Sequence, residues 1–357
     1  MELDLDTFLV TGYCVIDELS QAQFAPGKPV RRGHRPELAD SEVLTVMVLA
    51  QWQPDRSEAA FLRWVRAHWR AYFPRRLSQS AFNRRARDLM PVLCALGPAG
   101  HARLVQNLGA AGTVTRADLV EVLDGVPVPL LRRCRGDRHR LCTDEADVER
   151  GGSDKDWFYG VRLLGSVARL GTVTGFVVGP AATGARWLAE ALFRWRSHPV
   201  APAPTATELA PLLGPPHLVG GERWGPTGPI RLRQGVGHPA PGPYLSNLGF
   251  HGAPGQAHWQ ADYGATVLTP ASAMAQVLPE QVGPARRWLS GRRQVVEPAA
   301  GWLTATFHLP FPRAHTDQGL LARLGAKVAA CNMGVSLNHH TGRDPFAFCN
   351  PLTATTC

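Results

Sequence analysis

Residues 119–130 read LVEVLDGVPVPL, a β-rich run that Gly125 and two prolines interrupt. The first part of this run is apolar enough for a central strand, where an unpaired carboxylate such as that of Asp124 would be costly. Asp-Gly is also a common turn pair, so the alternative interpretation of Asp124 is a turn residue. We interpret the run as a strand that carries an acid and that opens the β-containing part of the chain.

The segments after this run predict further strands and then helices. A tight connection at Gly171 predicts that the next two strands pair antiparallel. The predicted strands are WFYGVRLLGSV (157–167), GTVTGFVVGP (171–180), PYLSN (243–247) and GATVLTP (264–270), and the predicted helices are 185–196, 284–306 and 318–338. This order predicts an α/β fold: a ribonuclease-H-like mixed sheet flanked by helices, preceded by an all-α N-terminal domain.

The region before residue 115 predicts helices on its hydrophobic periodicity. Candidate N-cap residues stand ahead of three such runs, and prolines at 54 and 74 stop the first two. The candidate caps are Asp40 and Ser41, then Asp55 and Ser57, then Ser78 or Ser80. We therefore predict an N-terminal domain of several short helices.

Arginine is concentrated within this helical region. Between residues 56 and 87 there are nine arginines and a single acid, Glu58. Three of the arginines are spaced i, i+3 and i+7, so they share one face of a helix. Because no acids interleave, we favour a DNA-binding domain of helix-turn-helix type over a merely solvated charged face. The candidate DNA-binding residues here are Arg63, Arg66, Arg70, Arg84 and Arg85.

The composition of the whole chain agrees with a nucleic-acid partner. The net charge is +9, and 35 of the 38 lysine and arginine residues are arginine. Arginine binds phosphate bidentately and stacks on bases, although a GC-rich coding bias would also raise the arginine share. The seven scattered cysteines indicate a reducing compartment. We predict a cytoplasmic, nucleoid-associated protein, because the sequence has no basic leader and no apolar run of about 18 residues.

The predicted domains follow from these shifts in pattern. Residues 1–115 are the helical DNA-binding domain, and residues 116–340 are the α/β catalytic domain. A stretch rich in proline and glycine at about 197–243 has little periodicity and is predicted to be a long loop or an insert. Residues 341–357 are predicted to be an irregular tail.

Several blocks in the chain, taken in order, are similar to one family. The blocks are LDGVPVPL (123–130), KDWFYGVRLL (155–164), VTGFVVGPA (173–181), YLSNLGFHG (244–252), GATVLTP (264–270), RRQVVEPAAGWL (292–303) and ARLGAKVAACNMGVSLN (322–338). They resemble blocks of bacterial insertion-sequence transposases of the DDE class. The N-terminal LADSEVLTVMVL (38–49) and FPRRLSQSAFNRRAR (73–87) match as well, so the resemblance covers nearly the whole chain.

The resemblance implies a catalytic site and its cofactor. By position, Asp124 is the first metal-binding acid and Glu297 the third, with Mg²⁺ or Mn²⁺ as the cofactor. Arg293, four residues before Glu297, is implied to contact DNA phosphate or to brace the glutamate. Pro298 departs from the pattern because proline fits only the first turn of a helix. The helix therefore starts near Val296 or is kinked there.

The implied activity acts on double-stranded DNA. A transposase of this class binds the terminal inverted repeats of its element, cleaves a strand, and transfers the freed 3′-hydroxyl to target DNA. The implied assembly is a homodimer on DNA, with no membrane partner. The alternative is a catalytically inactive, transposase-derived DNA-binding protein or repressor.

Asn247 stands where the family has its second acid. An amide oxygen can ligate a divalent ion, but it brings no negative charge to the site. Three explanations compete: a decayed copy, a deliberate Asp→Asn substitution, or a second acid located elsewhere. Asp262 is the candidate for that other acid and Glu222 is a weaker one, but Asp262 precedes a predicted strand where the acid should follow one. We expect Asn247 to be the structural equivalent.

Overall fold

A computed structural model describes residues 5–24, 37–75, 78–113, 120–136, 138, 141–142, 146–151, 156–197, 217–219, 222–224, 233–235, 243–270 and 282–347. The helices before the first strand are α1 (Leu5–Phe24), α2 (Asp40–Leu49), α3 (Glu58–His68), α4 (Gln79–Asp88) and α5 (Met90–Ala110). The predicted N-terminal helical region is therefore confirmed as helical. Its separation from the rest of the chain as a domain stays a prediction.

Seven of the described strands form a mixed sheet, which confirms the α/β class, and β5 and β6 pair with each other in a separate two-stranded sheet. They are β1 (Glu121–Arg132), β2 (Asp147–Gly151), β3 (Asp156–Ala168), β4 (Val173–Pro180), β5 (His217–Val219), β6 (Glu222–Trp224), β7 (Arg233–Gly235), β8 (Tyr244–Leu245) and β9 (Val267–Leu268). The main sheet has the order β7-β4-β3-β1-β8-β9, and β2 pairs with β3. β1, β3 and β4 are mutually antiparallel neighbours, whereas β8 is parallel to β1 and β9 is parallel to β8.

Helices cover both faces of this sheet. The helices after β1 are α6 (Arg133–Gly136), α7 (Ala185–Ser197), α8 (Ala253–Tyr263), α9 (Val282–Arg293), α10 (Val296–Gly301) and α11 (Asp317–His340). Strand alternation in β1 sends Leu123 into a cluster with residues of α7 and α8. Its neighbour Val122 joins the larger cluster with residues of α5 and α11. Side chains of β1 with even numbers therefore face α11.

Helix α11 joins the helical region to the sheet. It packs along α5 so closely that a side chain at Gly325 would meet the backbone of Leu93 and Cys94 at 2.8 Å. Asn332 of α11, 1% exposed, donates to the carbonyls of Gly97 and Val173 and accepts from the Val173 N–H. α5, α11 and β4 therefore share one core.

A buried ion pair fixes α7 to the sheet. Glu121 of β1 and Arg196 of α7 are each 4% exposed, and their carboxylate and guanidinium are 2.6 Å apart. The hydroxyls of Ser166 and Thr174 also donate to the Glu121 carboxylate. The Arg196 guanidinium donates to the Tyr244 hydroxyl at 2.9 Å. These bonds satisfy a charge pair that would be costly if either partner were missing.

Several predictions of local structure can be compared with the result. Ser57 and Ser78 cap α3 and α4 as predicted, each accepting from a backbone N–H. The cap of α2 is Ala39, with Glu42 reaching back to its N–H, so the prediction of Asp40 or Ser41 was wrong by one position. Helix α3 ends at His68, so it does not continue to the proline at 74.

Helix α11 is the single helix among the described residues that is long and apolar enough, by length and composition, to be a candidate membrane span. Its length and composition alone would allow it to cross a membrane, but 72% of its most apolar window is buried inside the protein. This burial is expected of a helix in the core of a soluble protein.

Candidate active site

Asp124 lies within β1, on the face that is covered by α10 and α11. It pairs across the sheet with Gly165 of β3, and its Oδ1 accepts the Gly125 N–H at 2.9 Å. Burial raises the pKa of the Asp124 carboxyl above its usual 3.8, and nearby Glu297 adds to the rise. The Gly125 N–H and the positive charge of Arg293 act in the opposite direction. Asp124 is therefore a strand residue, as predicted, and not a turn residue.

Asn247 follows the end of β8, the strand that is parallel to β1. Val122 pairs with Leu245, so the residue two positions beyond each of them is at the same level. Asn247 lies beyond the paired residues of β8 in an extended backbone conformation, so continuing the register by two residues would bring it level with Asp124 on the same face of the sheet. The Asn247 Oδ1 accepts the Gly249 N–H at 2.9 Å and caps the short helical turn Leu248–Phe250.

Glu297 lies in the first turn of α10, which packs on β1. Helix α9 ends at Arg293 and α10 begins at Val296, so Pro298 falls in a first turn, where it is tolerated. Of the two possibilities, the helix that starts near Val296 is the one observed. The Glu297 side chain is exposed, and its negative charge contributes to the raised pKa of Asp124.

Arg293 lies at the C-terminal end of α9, a helix that contacts β8. Its charge lowers the pKa of Asp124, and Leu289 of the same helix packs in the cluster that contains Val122. Its Nε is buried and has no hydrogen-bond partner among the described residues. This arrangement leaves at least one N–H of Arg293 able to donate to an anionic partner.

The alternative second acids lie elsewhere. Asp262 is on α8, where it pairs with His258 at 3.0 Å and remains 55% exposed. Helix α8 packs against α7, on the face opposite to Asp124. Glu222 lies in β6, and its side chain is outside the described residues. Among these candidates, Asn247 is therefore the one that the continued β1–β8 register would bring level with Asp124.

Asp124 and Glu297 are the two acids on this side of the sheet that the predicted divalent cation would use. Two carboxylates that repel each other, one of them desolvated, make an arrangement that a cation would relieve. Asn247 adds an amide oxygen, but no group of three or more His, Cys, Asp or Glu side chains is placed to hold a metal within the described ranges. The described residues here do not form a three-acid set, and a cation held by Asp124 and Glu297 stays a prediction.

The candidate DNA-binding arginines divide into two groups. Arg63 and Arg66 are exposed on α3, Arg84 is exposed on α4, and Arg70 is exposed just beyond the end of α3. Arg85 is 8% exposed, forms an ion pair with Asp40, and donates to the Leu38 carbonyl at 2.9 Å. The prediction that Arg85 contacts DNA is corrected, because its guanidinium faces the protein interior.

Comparison with known proteins gave no relative: no family model matches the chain, and no match was found among curated proteins or among solved structures. The family resemblance of the sequence blocks therefore stays a prediction. What can be argued about function comes from the geometry around Asp124 and from the arginine surface.

The Asp124→Asn substitution should make the metal-free protein more stable than the unmodified protein, and this difference should grow as pH rises. The folded pKa is raised above 3.8, so the folded state holds the proton longer, and stability falls as pH rises through the window above 3.8. Asparagine keeps an oxygen for the Gly125 N–H and does not titrate. Melting temperatures of both proteins between pH 4 and pH 8, without divalent ions, check this. A lower melting temperature for Asp124→Asn at pH 7 would contradict it.

Proposed function

We propose that this chain is a DDE-type transposase of a bacterial insertion sequence, with a ribonuclease-H-like α/β region. The supporting observation is the electrostatic influence of Glu297 of α10 on Asp124 of β1, together with the register by which Asn247, just after the parallel neighbour β8, would come level with Asp124. The strand order supports the same fold: three antiparallel strands in sequence, then two strands parallel to the first. In such sheets, sites collect beyond the carboxyl ends of parallel strands.

The chain's own residues have distinct roles in the proposed site. Asp124 and Glu297 would hold Mg²⁺ or Mn²⁺, and the Gly125 N–H orients the Asp124 carboxylate. A bound divalent ion would polarise the phosphate and lower the pKa of a coordinated water. Arg293 would place positive charge beside the scissile phosphate. No covalent enzyme intermediate is required, because the attacking oxygens belong to water and then to the DNA 3′-hydroxyl.

One observation favours the alternative, a transposase-derived protein that binds DNA without cutting it. The Asn247 oxygen already accepts the Gly249 N–H and carries no charge. A site with this residue would hold its cofactor weakly, while the arginine surface would be unaffected. The two functions differ in cleavage and agree in DNA binding.

A cleavage assay tests the proposal. The substrate is duplex DNA taken from both flanks of the coding sequence, where the inverted repeats of an element would lie. Nicking that requires Mg²⁺ or Mn²⁺, and that Asp124→Ala abolishes without loss of DNA binding, would support a transposase. Nicking that survives Asp124→Ala would contradict the assigned site.

Replacing Arg63, Arg66 and Arg70 together with glutamine should weaken duplex binding and flatten its salt dependence. Each lost phosphate contact should reduce the log–log slope by roughly one unit. Binding measured between low and moderate salt gives the slope. Arg169→Gln, an exposed arginine at the β3–β4 turn, is the control and should leave the slope unchanged. An unchanged slope in the triple variant would mean that this face is only solvated surface.

A further inference from the structure

A polar cleft of about 730 Å³ lies away from Asp124, between the N-terminal helices and the segment before α11. Its walls come from α3 and α4 on one side, and from residues 308–316 and the start of α11 on the other. The charged residues that line it are Arg56, Glu58, Arg87, Arg313, Arg323 and Lys327, together with His308 and His315. Glu58 is the only carboxylate among the described residues of this lining.

The positive charges of the cleft are not balanced. Glu58 pairs with Arg323 at 3.0 Å and also accepts from Asn83, so this acid is already engaged. Burial lowers the pKa of Arg323, and the charges of Arg87 and Arg313 lower it further, against the opposing effect of Glu58. Such mutual repulsion between cations is relieved when an anion binds between them.

Lys327 is a further basic side chain in the lining of the cleft. It is 6% exposed, and its Nζ donates to Gln51 Oε1 at 3.0 Å and to the Phe307 carbonyl. Burial, with Arg323 and Arg313 nearby, lowers the pKa of Lys327 to about 7. A buried lysine surrounded by arginines is costly for folding, and this cost suggests a functional reason for it.

The segment that forms the rim is held in an unusual backbone conformation. Three residues with side chains have positive φ: His308 at 47°, Phe311 at 55° and Arg313 at 56°. Each such residue costs on the order of 1–2 kcal/mol. The segment is fixed by the Phe311 N–H, which donates to the Pro129 carbonyl of β1 at 2.7 Å. The strain places the Arg313 guanidinium and the Phe311 ring at the mouth of the cleft, where both are exposed.

We propose that this cleft binds a phosphate group of a nucleic-acid strand, with Arg313 and Arg323 contacting the phosphate and Phe311 stacking on an adjacent base. An exposed aromatic ring beside a cationic groove is the arrangement by which proteins hold single strands without reading their sequence. Pro129 is five residues beyond Asp124, so the rim lies roughly 16 Å along β1 from the candidate active site. The site goes beyond the proposed function, because it needs neither cleavage nor a metal.

Two glycine variants test the proposal without harming the fold. Arg313→Gly and Phe311→Gly each replace a left-handed residue with the one that adopts this conformation freely, so neither should lower the melting temperature. Arg313→Gly removes a charge, and Phe311→Gly removes only a ring. The probes are sulfate, which does not titrate near neutral pH, and a short single-stranded DNA.

Arg313→Gly should weaken sulfate binding about tenfold and reduce the salt slope of DNA binding by about 0.7. Phe311→Gly should leave sulfate binding and the slope unchanged, and weaken DNA binding about tenfold. Arg169→Gln removes an exposed arginine outside the cleft and should leave sulfate binding unchanged. Equal sulfate affinity in Arg313→Gly and the unmodified protein would overturn the anion site.

The same variants separate the possible sources of the anion. If Arg313→Gly loses sulfate binding but neither variant alters DNA binding, the cleft takes only small anions and the nucleic-acid assignment is overturned. Failure of the proposed transposase function would appear differently, as absence of divalent-dependent cleavage with the cleft contacts intact. The two proposals can therefore fail independently.

Discussion

Asn247→Asp should raise Mg²⁺-dependent cleavage of the flanking DNA by orders of magnitude. The substitution changes one side-chain group and adds one negative charge beside Asp124, the position at which the parallel register places it. A carboxylate contributes charge that an amide lacks, and a lost acid in a metal site costs several kcal/mol of transition-state stabilisation. The backbone should tolerate either residue, because a carboxylate oxygen can also accept the Gly249 N–H.

Two controls make this result interpretable. Asp124→Ala combined with Asn247→Asp should remain inactive, and Asp262→Ala combined with Asn247→Asp should cut as well as Asn247→Asp alone. Without metal, the Asn247→Asp protein should be equally or slightly less stable, since a third acid adds repulsion. Robust cutting by the chain as it stands, abolished by Asp262→Ala, would show that the second acid is Asp262. Specific DNA binding with no cutting by either form would favour the inactive alternative.

Glu121→Ala should destabilise the protein by about 3–5 kcal/mol, the usual cost of leaving one partner of a buried ion pair unpaired. The Arg196 guanidinium would lose its carboxylate at 2.6 Å, and Ser166 and Thr174 would lose an acceptor. Desolvation opposes the charge of Arg196, but Glu121 and the Tyr244 hydroxyl hold the pKa of Arg196 above its usual value. Denaturant unfolding of both proteins measures the difference.

A double variant distinguishes the cost of leaving one charge unpaired from the stability that the ion pair itself contributes. Glu121→Met with Arg196→Met replaces both charges with apolar side chains of similar length, and it should recover most of the lost stability. Glu121→Gln keeps an acceptor for the hydroxyls and should fall between the single alanine variant and the unmodified protein. If the double variant were no more stable than Glu121→Ala, the pair itself would be the main source of stability.

The parts of the fold that could be predicted from sequence are those with local causes. Alternation and glycine turns predicted β1, β3 and β4, and the side-chain caps Ser57 and Ser78 predicted two helix starts. Helix α8 was missed because APGQAHWQADY has a weak periodic pattern, although its early proline suits a first turn. Local signals fail where a helix is held in place mainly by tertiary packing, as α8 is through its buried Trp259.

Features set by distant partners could not be predicted. Nothing near Arg85 in the sequence shows that it turns inward, because its partner Asp40 is 45 positions away. The cleft around Lys327 likewise combines α3 and α4 with α11, which lies more than 200 positions further along the chain. Asp124 and Glu297 were named in advance because of the family resemblance, and their electrostatic coupling is a property that only the structure reveals.

The contacts of Asn332 have a consequence for the distance between the DNA-binding surface and the candidate active site. A single buried amide ties α5 of the helical region and β4 of the sheet to the same helix. In the proposed transposase, the arginine surface of α3 and α4 would then lie at a fixed distance from Asp124. The number of base pairs between the recognised sequence and the cleaved bond would be set by this packed core. It would not vary, as it would if a flexible linker joined the two regions.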